Sequence, residues 1–293
     1  MSVKFVTAIY SNLNGTKFGG RPARGGHYRW SLLSLLKMTD AHFTCYCATD
    51  EIEDLEDFFF EKNNVDKNQL NLKSFNLENH YFKDLFNIYK DYERAIHSDR
   101  CIELQYMKFL WVLSEMSSNY EYYFWIDAGL SHCGLIPNKY LSLTGPHNQG
   151  YYESKLFNNL FLTNLLKKTG DKFLVLAKEN SRNYWSGTVN PKHFLKYDNS
   201  RHVIGGLFGG KKELFEMIIN IFKSYVVDIT KSDNFLYHEE DYLTLIYRNF
   251  NEFCIALEFD IWWHEDERIA GTDIVDLCSK NKSFYKILEE LND

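Results

Sequence analysis

Proline is scarce in this chain, with 4 in 293 residues, and no Pro/Ser-rich tract marks a linker between domains. Long apolar runs are missing too. None approaches the roughly 18 residues that a membrane-spanning helix requires, so no stable membrane insertion is expected. Met1-Ser2-Val3-Lys4-Phe5 leads straight into a strand-like run, without the charged-then-apolar pattern of a secretory signal. The six cysteines (Cys45, Cys47, Cys101, Cys133, Cys254, Cys278) contain no C-x-x-C pair, which argues against a zinc ribbon or finger. With no signal pattern beside them, they predict reduced thiols and a cytoplasmic protein. Positive charge is not in excess either: Lys plus Arg is 33 against 40 for Asp plus Glu, a net charge of −7. A global basic field for nucleic acid is thereby excluded, while a local basic stripe is not. The last turn, Leu288-Glu289-Glu290-Leu291-Asn292-Asp293, is acidic and disfavours a helix lying on an anionic membrane.

What the chain does have is rings. It carries 23 Phe, 20 Tyr and 6 Trp, enough for a large core with aromatic groups left over for a binding cleft. Hydrophobic residues at 45% and charged residues at 25% are ordinary globular proportions. Short apolar, β-branched or aromatic runs read as strands over Val3 to Tyr10, His42 to Cys47, Asn71 to Phe75, Tyr122 to Ile126, Phe173 to Ala177, Val203 to Phe208 and Phe253 to Trp263. Helical spacing is read over Tyr28 to Met38, Glu51 to Phe60, Tyr81 to Ile96, Ile102 to Met116, Glu153 to Lys168, Lys211 to Val226 and Glu239 to Arg248. Strands alternating with helices predict an α/β fold around a mostly parallel sheet covered on both faces. The second half is less regular, with a long polar stretch from Lys178 to Arg201 that holds Trp185. The expectation is one domain over 1–293, with the substrate-facing loops concentrated after residue 127.

In open α/β sheets ligands sit at the carboxyl ends of strands. After Tyr122 to Ile126 comes Asp127-Ala128-Gly129. An aspartate there can bind a ribose hydroxyl or a hard cation, or simply cap a turn, and Gly129 allows close approach to the backbone. Gly205-Gly206-Leu207-Phe208-Gly209-Gly210 sets four glycines around two large apolar residues. Either the strand bends sharply there or a ligand lies against bare backbone. His238-Glu239-Glu240-Asp241 opens a helix with three carboxylates in one turn, which fits a catalytic carboxylate or ordinary acidic capping. Trp262-Trp263-His264 follows the last strand, where a neutral imidazole can ligate a metal or contact phosphate. The Gly/Arg-rich loop after the first strand, with Arg21, Arg24 and Arg29, can neutralise phosphate or be a solvated segment. Trp185 can stack on a sugar ring or anchor its loop.

Taken in order, these segments resemble the GT-A glycosyltransferase plan, which has an Asp-x-Asp motif, a glycine loop, an x-Glu-Asp motif and a late histidine. Phe124 to Ser131 is also similar to the HtrL/YibB group of predicted sugar transferases, some of them phage-encoded. The resemblance implies a Rossmann-like, GT-A-like domain that takes a nucleotide sugar, UDP-linked above all, and a divalent cation, Mn²⁺ or Mg²⁺. It divides 1–293 into a nucleotide-binding half, 1–127, and a donor-sugar and acceptor half, 128–293. It assigns Asp127 to nucleotide or metal, Gly205, Gly206, Gly209 and Gly210 to the donor sugar and acceptor, and Glu240 and Asp241 to catalysis; Gly129, Arg21, Arg24 and Arg29, read from their own chemistry, join the donor side. Asp127 and His264 would hold the metal; Trp185, from its place in the polar loop, is the acceptor-side candidate. Gly129 stands where the plan has its second Asp, so the metal site is depleted, recruits another group such as His132, or is absent. The acceptors implied are a hydroxylated pyrimidine in phage DNA, slightly favoured, or an envelope glycan. Nucleotidyl transfer and non-catalytic saccharide binding are the rival readings.

Overall fold

The computed structural model describes residues 2–10, 24–37, 39–89, 101–129, 141–142, 151–152, 158–178, 190, 203–259 and 290–292. A seven-stranded sheet runs through them. Its strands are β1 (Val3–Ile9), β2 (His42–Cys47), β3 (Leu70–Ser74), β4 (Tyr122–Ile126), β7 (Phe173–Lys178), β8 (Val203–Lys211) and β9 (Cys254–Phe259), in the spatial order β3-β2-β1-β4-β8-β7-β9. β5 (Leu141–Ser142) and β6 (Tyr151–Tyr152) form a separate antiparallel pair. The helices are α1 (Arg24–Leu36), α2 (Ile52–Glu56), α3 (Lys83–Tyr89), α4 (Cys101–Glu115), α5 (Asn159–Thr169), α6 (Lys212–Asp233) and α7 (Glu239–Asn249).

The strands are apolar throughout because both faces of the sheet are covered. Successive side chains point to opposite faces. Val3, Phe5 and Ile9 of β1, with Tyr122, Phe124 and Ile126 of β4, therefore join one core cluster with α1, α2 and α5. Val6, Tyr123 and Trp125 join the other, with α3, α4, α6 and α7. Rings dominate both layers. Phe5 stacks on Phe43 at 5.2 Å, and across the sheet Phe109 stacks on Phe222 at 3.9 Å and Trp111 on Tyr46 at 5.2 Å. Each buried ring contributes about 1.5–3 kcal/mol by area.

The sheet is mostly parallel, as the alternation implies. The exception is β8, antiparallel to both β4 and β7. Between β1 and β4 the strand order reverses direction, with β2 and β3 on one side and β4 on the other. Such a switch point opens a crevice at the carboxyl ends of its strands.

Element bounds differ from the sequence reading where tertiary packing intervenes. Residues 49–62 are a 3₁₀ turn, α2, then a π-helical turn over Asp57–Lys62, rather than one α-helix. The wider turn coincides with Phe58, Phe59 and Phe60, all packed into the same cluster. α1 begins at Arg24, four residues before the first apolar residue of its pattern. α6 continues to Asp233 because its buried face extends through Ile229, and Asn234 ends it in a left-handed conformation (φ 55°). β8 runs on to Lys211 because Gly209 and Gly210 keep pairing with β4. The predicted helix Tyr81 to Ile96 is described as far as Tyr89, and the predicted strand Phe253 to Trp263 as Cys254–Phe259.

Candidate active site

The carboxyl end of β4 delivers Asp127 to the switch point. Its backbone N–H donates to the Gly206 carbonyl (2.8 Å), which extends the β4–β8 pairing by one residue. Its Oδ1 accepts from the Trp125 indole N–H (2.8 Å) and forms an ion pair with the Lys108 ammonium (3.2 Å). Lys108 comes from α4 and lies within an otherwise apolar face, between Met107 and Phe109. Its ammonium also donates to Glu239 Oε1 (2.9 Å) and to the Gly205 carbonyl (3.0 Å) and lies 5.6 Å from the Trp125 ring centre. Four elements, α4, β4, β8 and α7, thus meet at one nitrogen.

Why Gly205 is available follows from the register. On β7, Val175 faces Phe208 while Leu176 faces Ile204, so residues 205–207 bulge away from that neighbour. The Gly205 peptide groups leave the ladder, and the site takes them up. Its carbonyl accepts from Lys108 and its N–H donates to Glu240 Oε1 (3.0 Å). A buried backbone group without such partners is costly. A Cβ at Gly205 would lie 2.5 Å from Glu239 Oε1. At Gly209 it would collide with the Tyr123 carbonyl and Phe124, and at Gly210 it would lie 2.9 Å from the Lys172 carbonyl. Both alternatives drawn from the glycine run therefore apply to different parts of it. Gly205 admits the Glu239 carboxylate, and Gly209 and Gly210 admit neighbouring backbone.

The three acidic residues that open α7 have separate positions. Glu239 is 1% exposed, with Oε1 on Lys108 and Oε2 2.6 Å from His238 Nδ1. Glu240 Oε2 lies 3.8 Å from the same imidazole nitrogen. Asp241 turns back along the helix, and its Oδ2 accepts from the His238 N–H (2.8 Å), half of a capping box.

These contacts separate the carboxyl groups electrostatically. Burial pushes Glu239 up, but the Lys108 and His238 charges overcome it and hold the group well below the usual glutamate range. Burial and the adjacent Glu239 charge hold Glu240 above that range. Burial likewise holds Asp127 above the ordinary aspartate value, against the opposing pull of Lys108. Burial alone would lower the Lys108 pKa; Asp127 and then Glu239 reverse that, so the ammonium stays charged.

The GT-A plan implies a divalent ion, and the described residues around Asp127 do not fit one. Oδ1 is taken up by the Trp125 indole and the Lys108 ammonium, Gly129 brings no second carboxylate, and a cation on this carboxylate would share it with that ammonium. Magnesium and manganese need several oxygen ligands. His238, Glu239 and Glu240 place one ligand atom each within 4.8 Å of one another, a separate cluster in which Glu239 already holds the Lys108 ammonium through Oε1.

The structure thus brings Asp127, Gly205, Gly206 and Glu240 together, and adds Lys108 and Glu239. Gly129 lies in the turn directly after β4. Arg29 is elsewhere, paired with Asp54 from α1 to α2, on the sheet face opposite Lys108. Arg24 opens α1. Arg21, His132, Trp185 and His264 lie outside the described residues. Lys108 was not singled out from sequence; the available signal was a lysine inside an apolar helical face. Two open clefts of about 530 and 500 Å³ lie near the amino ends of β1 and β2, away from this corner, lined by Asp40 and His42 among others.

No protein-family model matches the chain, and no curated protein matches it. Among solved structures, the apo form of mouse xyloside xylosyltransferase 1 aligns with 88% of this chain and 85% of its own, at 10% sequence identity and a TM-score of 0.48.

Proposed function

We propose that the protein is a glycosyltransferase that moves a sugar from a nucleotide-sugar donor, UDP-linked in the first instance, to a hydroxyl acceptor. The observation that carries this reading is the meeting of Asp127, Lys108, Gly205, Glu239 and Glu240 at the carboxyl end of the central strand, beside a switch point. Polar groups this dense and buried have a use when a polar ligand must be oriented and a proton moved. The motif order of the GT-A plan runs through the same residues.

In this reading Glu240 is the catalytic carboxylate. Its raised pKa brings it toward the operating pH, where a carboxylate is a better proton acceptor. The acceptor hydroxyl gives its proton to Glu240, its oxygen bonds to the anomeric carbon, and the bond from that carbon to the diphosphate breaks. Nucleoside diphosphate leaves with the electron pair. The Gly205 N–H fixes Glu240 from one side, and ionised Glu239 keeps it a strong base from the other. Asp127 orients the donor, and Asp241 holds the turn that presents the other two. Arg21, Arg24 and His264 remain candidates for contact with the diphosphate.

The acceptor we place first is a hydroxylated or hydroxymethylated pyrimidine in DNA, extruded and held by aromatic side chains; an envelope glycan is the alternative. Incubation with radiolabelled UDP-sugars and either hydroxymethylcytosine DNA or oligosaccharides tests both levels. Label in DNA with release of UDP supports the full proposal. Label in saccharide alone moves the acceptor, and release of pyrophosphate instead of UDP replaces sugar transfer with nucleotidyl transfer.

A further inference from the structure

Asp127 is arranged to make one outward contact. Oδ1 is held by the Trp125 indole and the Lys108 ammonium. Oδ2 has no partner among the described residues, and the side chain is 40% exposed at the strand end. The Lys108 ammonium donates to Glu239 and to the Gly205 carbonyl and is ion-paired with Asp127, so three protein groups hold it in place. A second cation on Oδ2 would sit close to that charge in a partly buried corner, with no carboxylate at position 129 to help hold it. A hydroxyl meets neither difficulty. One oxygen with free lone pairs, on a carboxylate pinned from behind by an indole N–H and an ammonium, is a rigid acceptor for an O–H.

Resting on the sugar-transfer reading above, we infer that Asp127 binds a donor hydroxyl directly and that Lys108 is the resident cation of this corner, so donor binding requires no divalent ion. Lys108 is then a positioning residue: it aims Asp127 and Glu239 without touching substrate. The distinction shows in substitutions. An amide oxygen still accepts a hydroxyl but is a poor ligand for a hard cation, so Asp127→Asn and Asp127→Ala separate the two roles.

The test is calorimetric titration of the full chain with a panel of UDP-sugars, in EDTA and in Mn²⁺. The Kd of the bound donor should agree within about twofold between the two buffers. Asp127→Ala should weaken binding about tenfold or more in both, with Asp127→Asn intermediate. Lys108→Met should bind poorly in EDTA and recover in part with Mn²⁺, because Asp127 and Glu239 then face each other without their cation; if that variant does not fold, the wild type and the Asp127 pair decide the matter. Binding that appears only with Mn²⁺, and is lost equally in Asn and Ala, overturns the inference and leaves the glycosyltransferase reading standing. Failure of every nucleotide sugar in both buffers overturns the two together.

Discussion

At the scale of the residue, the three neighbours Glu239, Glu240 and Asp241 have different work, and substitutions should separate them. Glu240→Gln removes the proposed base and should lower turnover about 10²- to 10⁴-fold while donor affinity changes little. Asp241→Asn weakens a cap and should cost about 1 kcal/mol of stability, measured by urea unfolding, with a much smaller effect on rate. The reverse ranking would make Asp241 the catalytic group. The thiols give a second expectation. Burial pushes Cys45 far up and Cys47 up to about 12, so neither is a thiolate at neutral pH. Peptide mapping after brief maleimide treatment should find both unlabelled in the folded protein and labelled in urea.

Elements show how far the amino-acid pattern could be read. β4 was legible to the residue, because Tyr122 to Ile126 is an unbroken apolar run between polar neighbours. The start of α7 was legible from its acidic turn, and the glycine run marked an irregular strand. What could not be read was the convergence. Lys108 is 131 positions from Glu239, and no local pattern links a lysine in one helix to a carboxylate in another. The direction of β8 was equally hidden, since apolar periodicity is the same for parallel and antiparallel neighbours. The bulge in β8 should be intolerant of side chains. Gly205→Ala should destabilise by about 1–3 kcal/mol and displace Glu239. Wild-type stability and activity in that variant would mean the corner has more room than the 2.5 Å approach allows.

For the whole molecule, stability should depend on pH in two opposing ways. Glu239 lies well below the ordinary glutamate range. Glu115 lies below it too: burial pushes it up, but its Lys73 and Tyr46 hydrogen bonds prevail. The stability from this pair is complete above that range and disappears as pH falls through the folded values. Asp127 and Glu240 are held high, so ionising them in the fold costs stability, and the cost is relieved as pH falls through their folded values. The unfolding midpoint should therefore rise from neutral to mildly acidic pH and drop below about pH 4. Glu240→Gln should flatten the rise and spare the drop; a midpoint that falls steadily from pH 7 downward contradicts the assignment. Removing Lys108 leaves buried carboxylates without a partner, and Lys108→Ala should cost about 3–5 kcal/mol in denaturant titrations.

Because β8 alone runs backwards, the chain enters it beside the same rim where β1, β4, β7 and β9 end. The stretches 11–23, 130–157, 179–202 and 260–289 thus all start from one lip of the sheet, and 179–202 also returns to it. A graft into any of them should leave the register of the seven described strands undisturbed, which amide exchange along those strands would check.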